Sequence, residues 1–278
     1  MSAKTRFDSQ VASPRWRGAW LGALALVLGC TRAAPEQLEA PGGSDASVEA
    51  RAAEPAEPQG TAPSADTIAE TELVSVRPHI NDAYMEPGAV EKWTTKLERE
   101  RREVIAERDA IVAALELAPG MVVADIGAGT GAFMQAISAE LGAEGKLYAV
   151  DIAPQFLDHL RERAASEGLA NVEVVEGSPS ATNLPEGSVD LLFICDVYHH
   201  LEYPSVYLQS MYRSLRPGGR MVIIEFDKIP GKTSEAMMKH VRQDRPTLLA
   251  EVTAEGFVLE REIDHLKLDE NYVLVFRK

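Results

Sequence analysis

The sequence predicts an α/β fold built on a doubly wound, mostly parallel seven-stranded sheet. Three observations carry this reading. Seven apolar runs of strand length occur between residues 121 and 278, and helical patterns separate several of them. The early runs are continuously apolar rather than alternating, as strands covered on both faces are. A glycine-rich turn, "IGAGTGAF", follows the first run at the point where a helical pattern begins.

The strands are expected at 121–127, 146–152, 171–177, 189–196, 219–226, 257–264 and 271–278. Helical stretches are expected at 131–141, 154–167, 203–215 and about 233–255. The last two strands are joined by a short polar link, which predicts an antiparallel hairpin at one edge of the sheet. Ahead of the sheet, residues 89–117 place Trp93, Leu97, Val104, Ile105, Ile111, Val112 and Leu115 at helical spacing. That pattern reads as one long helix or two short ones, ended by Pro119-Gly120. Arg99, Arg101 and Arg102 alternate with glutamates there and read as a solvated helix face.

The amino terminus has a different character. Lys4, Arg6, Arg15 and Arg17 precede the apolar run "GAWLGALALVLG" at 18–29. The run is too short for a comfortable bilayer span and suits the core of a signal peptide. Val27-Leu28-Gly29-Cys30 resembles a bacterial lipobox, so residues 1–29 are expected to be a signal peptide and Cys30 the lipid-bearing residue. Several acyl chains on Cys30 would anchor the chain stably, where one would not. Thr31 follows where a retention aspartate would stand, which points to the outer membrane. If the signal is not used, the protein is cytoplasmic. Residues 30–71 are rich in Ala, Pro and Glu and nearly devoid of large apolar side chains. Such a segment cannot offset its ordering entropy by burial, so a disordered tether is expected, with an average reach of roughly 35 Å. Residues 72–119 then form a helical cap and 120–278 the main domain.

A formal charge of −15 opposes phosphate backbones, so nucleic acid is not an expected partner. The two cysteines, Cys30 and Cys195, occupy unlike surroundings and make no disulfide framework; Cys195 reads as a small buried strand residue. His79, His199, His200, His240 and His265 are scattered, with no ligand spacing beyond the adjacent pair, and no metal is expected.

The chemistry is concentrated in two stretches. In "ADIGAGTGAF" Gly127, Gly129 and Gly131 allow a tight turn and close approach of a ligand to the backbone, while the helix start offers free N–H groups. Asp125 closes the first strand. Twenty-six residues later Asp151 ends the second, where a carboxylate can accept both hydroxyls of a ribose. A glycine loop alone would also fit a dinucleotide enzyme. The second stretch, "CDVYHHLEYP" at 195–204, follows the fourth strand and offers Asp196, Tyr198, His199 and His200.

Taken in order, "DIGAGTG", the acidic residue of the second strand, "LPEGSVDLLFICD" and "LRPGG" resemble class I S-adenosylmethionine-dependent methyltransferases over residues 120–278. The closest likeness is to the small-molecule group that includes quinone-biosynthesis C-methyltransferases. The resemblance implies a Rossmann-like sheet with an antiparallel last strand and S-adenosyl-L-methionine as cofactor. It implies that Gly127, Ala128, Gly129 and Gly131 wrap the aminoacyl part, with Asp125 nearby, and Asp196 is counted with the cofactor-binding residues. Asp151 would bind the ribose and Ile152 would pack on the adenine. Ser178 stands where many members have an aspartate that meets the adenine, so that contact lacks a charge.

Methyl transfer is an in-line displacement from an already activated sulfonium, so positioning and exclusion of water do most of the work. A base is needed only if the acceptor must lose a proton, and His199, His200 and Tyr198 are the candidates for contact with it. Those residues can equally shape the pocket. Tyr84 and Trp93 are candidates for a lid over the cleft, or for helix packing. The reading is an enzyme acting on a small-molecule acceptor. The alternative is a membrane-tethered binding module with the same fold and no turnover, since fold does not fix function. A nicotinamide oxidoreductase is a distant third.

Overall fold

The computed structural model describes residues 73–99 and 102–278. The expected signal peptide (1–29), Cys30 and the expected tether (30–71) lie outside the described residues. Among the described residues no helix is long and apolar enough to cross a membrane.

The sheet contains seven strands: β1 (Val122–Ile126), β2 (Lys146–Asp151), β3 (Val172–Glu176), β4 (Val189–Cys195), β5 (Leu215–Phe226), β6 (Val258–Glu262) and β7 (Asn271–Arg277). Their spatial order is β3-β2-β1-β4-β5-β7-β6. All neighbours are parallel except β7, which runs antiparallel to both β5 and β6. The order reverses at β1, whose neighbours are β2 and β4, and this is where parallel α/β sheets open a crevice at their carboxyl ends.

The continuous apolar strands bury both faces. Ala124, Ile126, Leu192, Ile194 and Ile223 point into one core, and the intervening Val123, Leu191, Phe193, Val222 and Ile224 into the other. Period-two alternation divides each strand between the two layers. Helices α7 (Pro204–Ser214) and α9 (Arg245–Ala254) cover the first face; α4 (Arg108–Ala114) and α5 (Met134–Leu141) cover the second. Helix α6 (Pro154–Ser166) starts with proline at its first turn, where the missing N–H costs nothing.

The region before the sheet departs from the expected one or two helices. After a short α1 (Asp82–Met85), residues 89–117 form three helices, α2 (Ala89–Leu97), α3 (Glu103–Ala106) and α4. The break before α3 is at Arg102, whose backbone is extended. The helical stretch expected near 233–255 is also two pieces, α8 (Glu235–His240) and α9. Asp244 starts the second by accepting a hydrogen bond from the Thr247 N–H at 3.0 Å, with Pro246 in the first turn.

Candidate active site

A cavity of about 1150 Å³, counted with its open mouth, lies over the carboxyl ends of β1, β2 and β4. The glycine turn after β1 forms its floor. Gly127 has φ +70°, a conformation that side chains resist, and a Cβ there would stand 2.6 Å from a Val197 methyl. Both the turn and the packing of Val197 therefore require glycine. Asp151, at the end of β2, accepts hydrogen bonds from the Gly129 N–H (2.8 Å) and the Ala153 N–H (2.9 Å). One carboxylate thus ties the glycine turn to the start of α6, and each oxygen keeps a further lone pair.

Asp125 is 4% exposed and lines the cavity, yet no side-chain hydrogen bond among the described residues involves it. Burial first, and the nearby Asp151 charge second, push its carboxyl up to about 7. Burial also raises Asp151, against the pull of its backbone donors. A buried and a half-buried carboxylate at one end of a cavity suit a ligand that brings positive charge or hydrogen-bond donors.

Most of the residues expected to hold a cofactor line this space: Asp125, Gly127, Ala128, Gly129, Asp151, Ile152, Ser178 and Asp196. Gly131 does not. A Cβ there would stand 3.0 Å from Leu160, so it is glycine because α6 packs closely against the turn.

The expected catalytic residues divide. Tyr198, His199 and His200 form one turn of 3-10 helix after β4. Only His200 lines the cavity. Tyr198 is fully buried and donates to Glu251 at 2.8 Å. His199 is buried and bonds Glu225 through Nδ1 at 2.9 Å. Direct contact of Tyr198 or His199 with an acceptor in the cavity is therefore not what the fold provides. The cause is geometric: three residues complete a 3-10 turn, so consecutive side chains point about 120° apart.

Other corrections concern charge. Arg102 is not on a solvated face. Its guanidinium reaches the cavity wall and pairs with Asp196, which also accepts from Asn271 Nδ2. Burial raises Asp196 to about 6, against the opposing pull of Arg102. Cys195 is only half-buried and lines the cavity, and burial pushes its thiol well up, which makes it a poor nucleophile.

The segment 73–99 contributes Asn81, Tyr84 and Leu97 to the cavity wall. Tyr84 lines it and stacks on Trp93 with ring centroids 4.4 Å apart. Tyr84 also meets the His200 ring edge-on at 5.2 Å. The Trp93 indole N–H donates to the Ala83 carbonyl at 3.0 Å, and Gln155 of α6 donates to the Tyr84 carbonyl. Asn81 accepts from His200 Nδ1 at 3.2 Å and donates to the His200 carbonyl at 3.1 Å. The lid residues thus also orient the histidine.

The fold gathers His199, His200 and His240 within reach of one another, which the sequence spacing did not reveal. His240 ends α8, forty positions beyond His200.

Comparison with known proteins agrees with this architecture. The family model described as "Methyltransferase domain" matches residues 124–223. The chain is 34% identical over 110 residues to the ubiquinone/menaquinone biosynthesis C-methyltransferase UbiE of Marinomonas sp. (strain MWYL1), a match covering 39% of this chain and 44% of that protein. It is 31% identical over 112 residues to the protein of the same name from Hydrogenovibrio crunogenus, covering 40% and 44%. The chain therefore spans less than half the length of the curated relatives it matches. Among solved structures, an S-adenosylmethionine-dependent methyltransferase from Aquifex aeolicus superposes with a TM-score of 0.60 at 24% identity, covering 67% of this chain and 97% of that one. The fold is the Rossmann-like fold of methyltransferases.

Proposed function

We propose that this chain uses S-adenosyl-L-methionine to methylate a small-molecule acceptor. One observation carries the proposal: a buried carboxylate without a partner, Asp125, and a half-satisfied one, Asp151, face a single cavity that the glycine turn also lines. The cofactor fits that donor set. It brings a cationic sulfonium and an ammonium to answer Asp125, and two ribose hydroxyls to use the free lone pairs of Asp151.

The bound cofactor would supply a methyl group on positively charged sulfur, ready for displacement. The chain's own residues do the rest. Gly127 and Ala128 let the backbone approach the ligand closely. Asp151 fixes the turn through the Gly129 N–H. The pair of Arg102 and Asp196 makes the wall that follows β4. Tyr84, stacked on Trp93, keeps water from the reacting end. His200 is the candidate that meets the acceptor, oriented by Asn81. Burial holds its ring well below the usual histidine range, so it stays neutral and keeps a lone pair.

The C-methylation in quinone biosynthesis named for the curated relatives makes a carbon of a quinone-like small molecule the first acceptor class to test. Calorimetric titration with S-adenosylmethionine decides the cofactor: saturable binding is expected, and no heat at millimolar cofactor sinks the proposal. A panel of quinols and phenols, scored by mass increase of one methyl, then addresses the acceptor.

The second part of the proposal concerns location. The basic start, the short apolar run and Val27-Leu28-Gly29-Cys30 support export and lipid attachment at Cys30. Membrane fractionation with mass spectrometry of the mature amino terminus tests it. A soluble chain still beginning at Met1 overturns it.

A further inference from the structure

His199, His200 and His240 stand beside the cavity, with one ring nitrogen of each within 4.8 Å of the other two. We propose that these three histidines form a binding site for a divalent transition-metal ion of the zinc type, set in the wall of the acceptor cavity.

The hydrogen bonds around the cluster prepare it for this. His199 Nδ1 is held at 2.9 Å by the Glu225 carboxylate, and a proton on Nδ1 leaves the Nε2 lone pair free. His200 Nδ1 donates to Asn81 Oδ1 at 3.2 Å, with the same consequence. None of the side-chain hydrogen bonds among the described residues uses the His240 ring. Three imidazole lone pairs are therefore uncommitted, and imidazole nitrogen is a preferred ligand of zinc, copper, nickel and iron.

Glu225 completes the pattern. It is fully buried in β5 and accepts from the His199 N–H (3.1 Å), from His199 Nδ1 and from the Phe226 N–H (2.8 Å). A carboxylate behind a ligating histidine fixes its tautomer and raises its basicity. It also brings a negative charge against the cluster, opposing that of Arg77, which donates to the Lys239 carbonyl at 3.0 Å.

The rings are loosely placed for an ion. Their centroids lie 4.3, 5.0 and 5.3 Å apart. Tetrahedral zinc, with nitrogen at about 2.0–2.1 Å, needs ligand nitrogens about 3.3 Å from one another. His240 is half-buried at the last residue of a short helix, so it is the side chain with room to close the gap. Three protein ligands leave a fourth position open, the pattern of catalytic zinc. Because His200 lines the cavity, an ion that takes its lone pair would meet the acceptor oxygen in place of the imidazole. A phenol or enol bound there would release its proton to water more readily. This use rests on the methyltransferase reading; ion binding itself does not.

The experiment is titration of untagged, chelator-treated protein with zinc, and separately with cobalt(II) followed by its visible absorption. One ion per chain and the intense bands of four-coordinate cobalt are expected. His240→Ala and His240→Gln should each weaken zinc binding by at least about ten-fold, since one of three ligands is gone. Their circular dichroism, melting temperature and S-adenosylmethionine binding should be unchanged. Absence of saturable zinc binding, or equal affinity in both folded variants, overturns the site. Zinc binding without cofactor binding leaves the site standing and removes the methyltransferase reading; the converse does the opposite.

Discussion

Replacing Asp125 with asparagine separates the cost of a buried charge from its use. Asp125 lies in the middle of the sheet, in register with Ala149 of β2 and Phe193 of β4. Its carboxyl is pushed up to about 7 from 3.8. The folded state therefore keeps a proton that the unfolded chain has already lost. The sign follows directly: this group costs nothing below about pH 4, and its cost grows until pH passes 7, where it levels off. About three units correspond to about 4 kcal/mol, which is the ceiling of the effect. Asparagine has nearly the same shape and no charge. Asp125→Asn should therefore be more stable than the parent in the absence of cofactor, and increasingly so with pH. Urea unfolding at pH 6 and pH 8.5 avoids the region of the sequence pI near 4.9. Between those values the stability gap should widen by about 1.4 kcal/mol, the worth of the one unit of titration left between pH 6 and 7. Any pH-independent cost of burying the amide cancels in that comparison. Saturating S-adenosylmethionine should reverse the order, because the charge then has a partner. A charge-assisted hydrogen bond is worth about 1.5–3 kcal/mol, so the variant should bind the cofactor about 10–150-fold more weakly. A gap that does not change with pH would refute the buried-charge reasoning. Undiminished cofactor affinity would refute the role of Asp125 in holding it.

Three further substitutions probe the rest of the site. Gly127→Ala meets a backbone at φ +70° and the Val197 methyls at 2.6 and 2.7 Å; a loss of about 2 kcal/mol in chemical denaturation is expected, and Val197→Ala in the same chain should recover part of it. No loss in Gly127→Ala would mean the turn is not built as described. Asp151→Asn keeps the shape but weakens acceptance from the Gly129 N–H, so calorimetry should show cofactor affinity falling at least about ten-fold; equal affinity would remove Asp151 from the site. Arg102→Met leaves Asp196 buried without its cation. Stability measured by denaturant should drop by about 3 kcal/mol at pH 8 and by less at pH 6, because Asp196, raised to about 6, is then partly protonated and uncharged. A drop independent of pH would show that packing, not the ion pair, is what the arginine contributes.

The parts of this molecule that could be read directly are those whose chemistry is contiguous in the chain. The early continuously apolar runs, several separated by helical patterns, specify the covered parallel part of the sheet, because burial on both faces leaves no polar alternation. The glycine turn follows β1, and Asp125 and Asp151 occupy the last positions of β1 and β2; in a parallel sheet those carboxyl ends share one edge. The cavity lining was legible for that reason.

Tertiary structure alone decided the contacts between distant segments and the direction of neighbouring side chains. Arg102 looked solvated beside its glutamates, but an extended backbone there carries it to Asp196, 94 positions away. His240 meets His199 and His200 only because α8 returns to the end of β4, so no ligand spacing could be seen. Tyr198, His199 and His200 are adjacent and chemically suited to one task, yet a 3-10 turn sends them in three directions: one to Glu251, one to Glu225 and one to the cavity. A sequence records which side chains are near one another along the chain, and the backbone torsions between them decide which way each one faces.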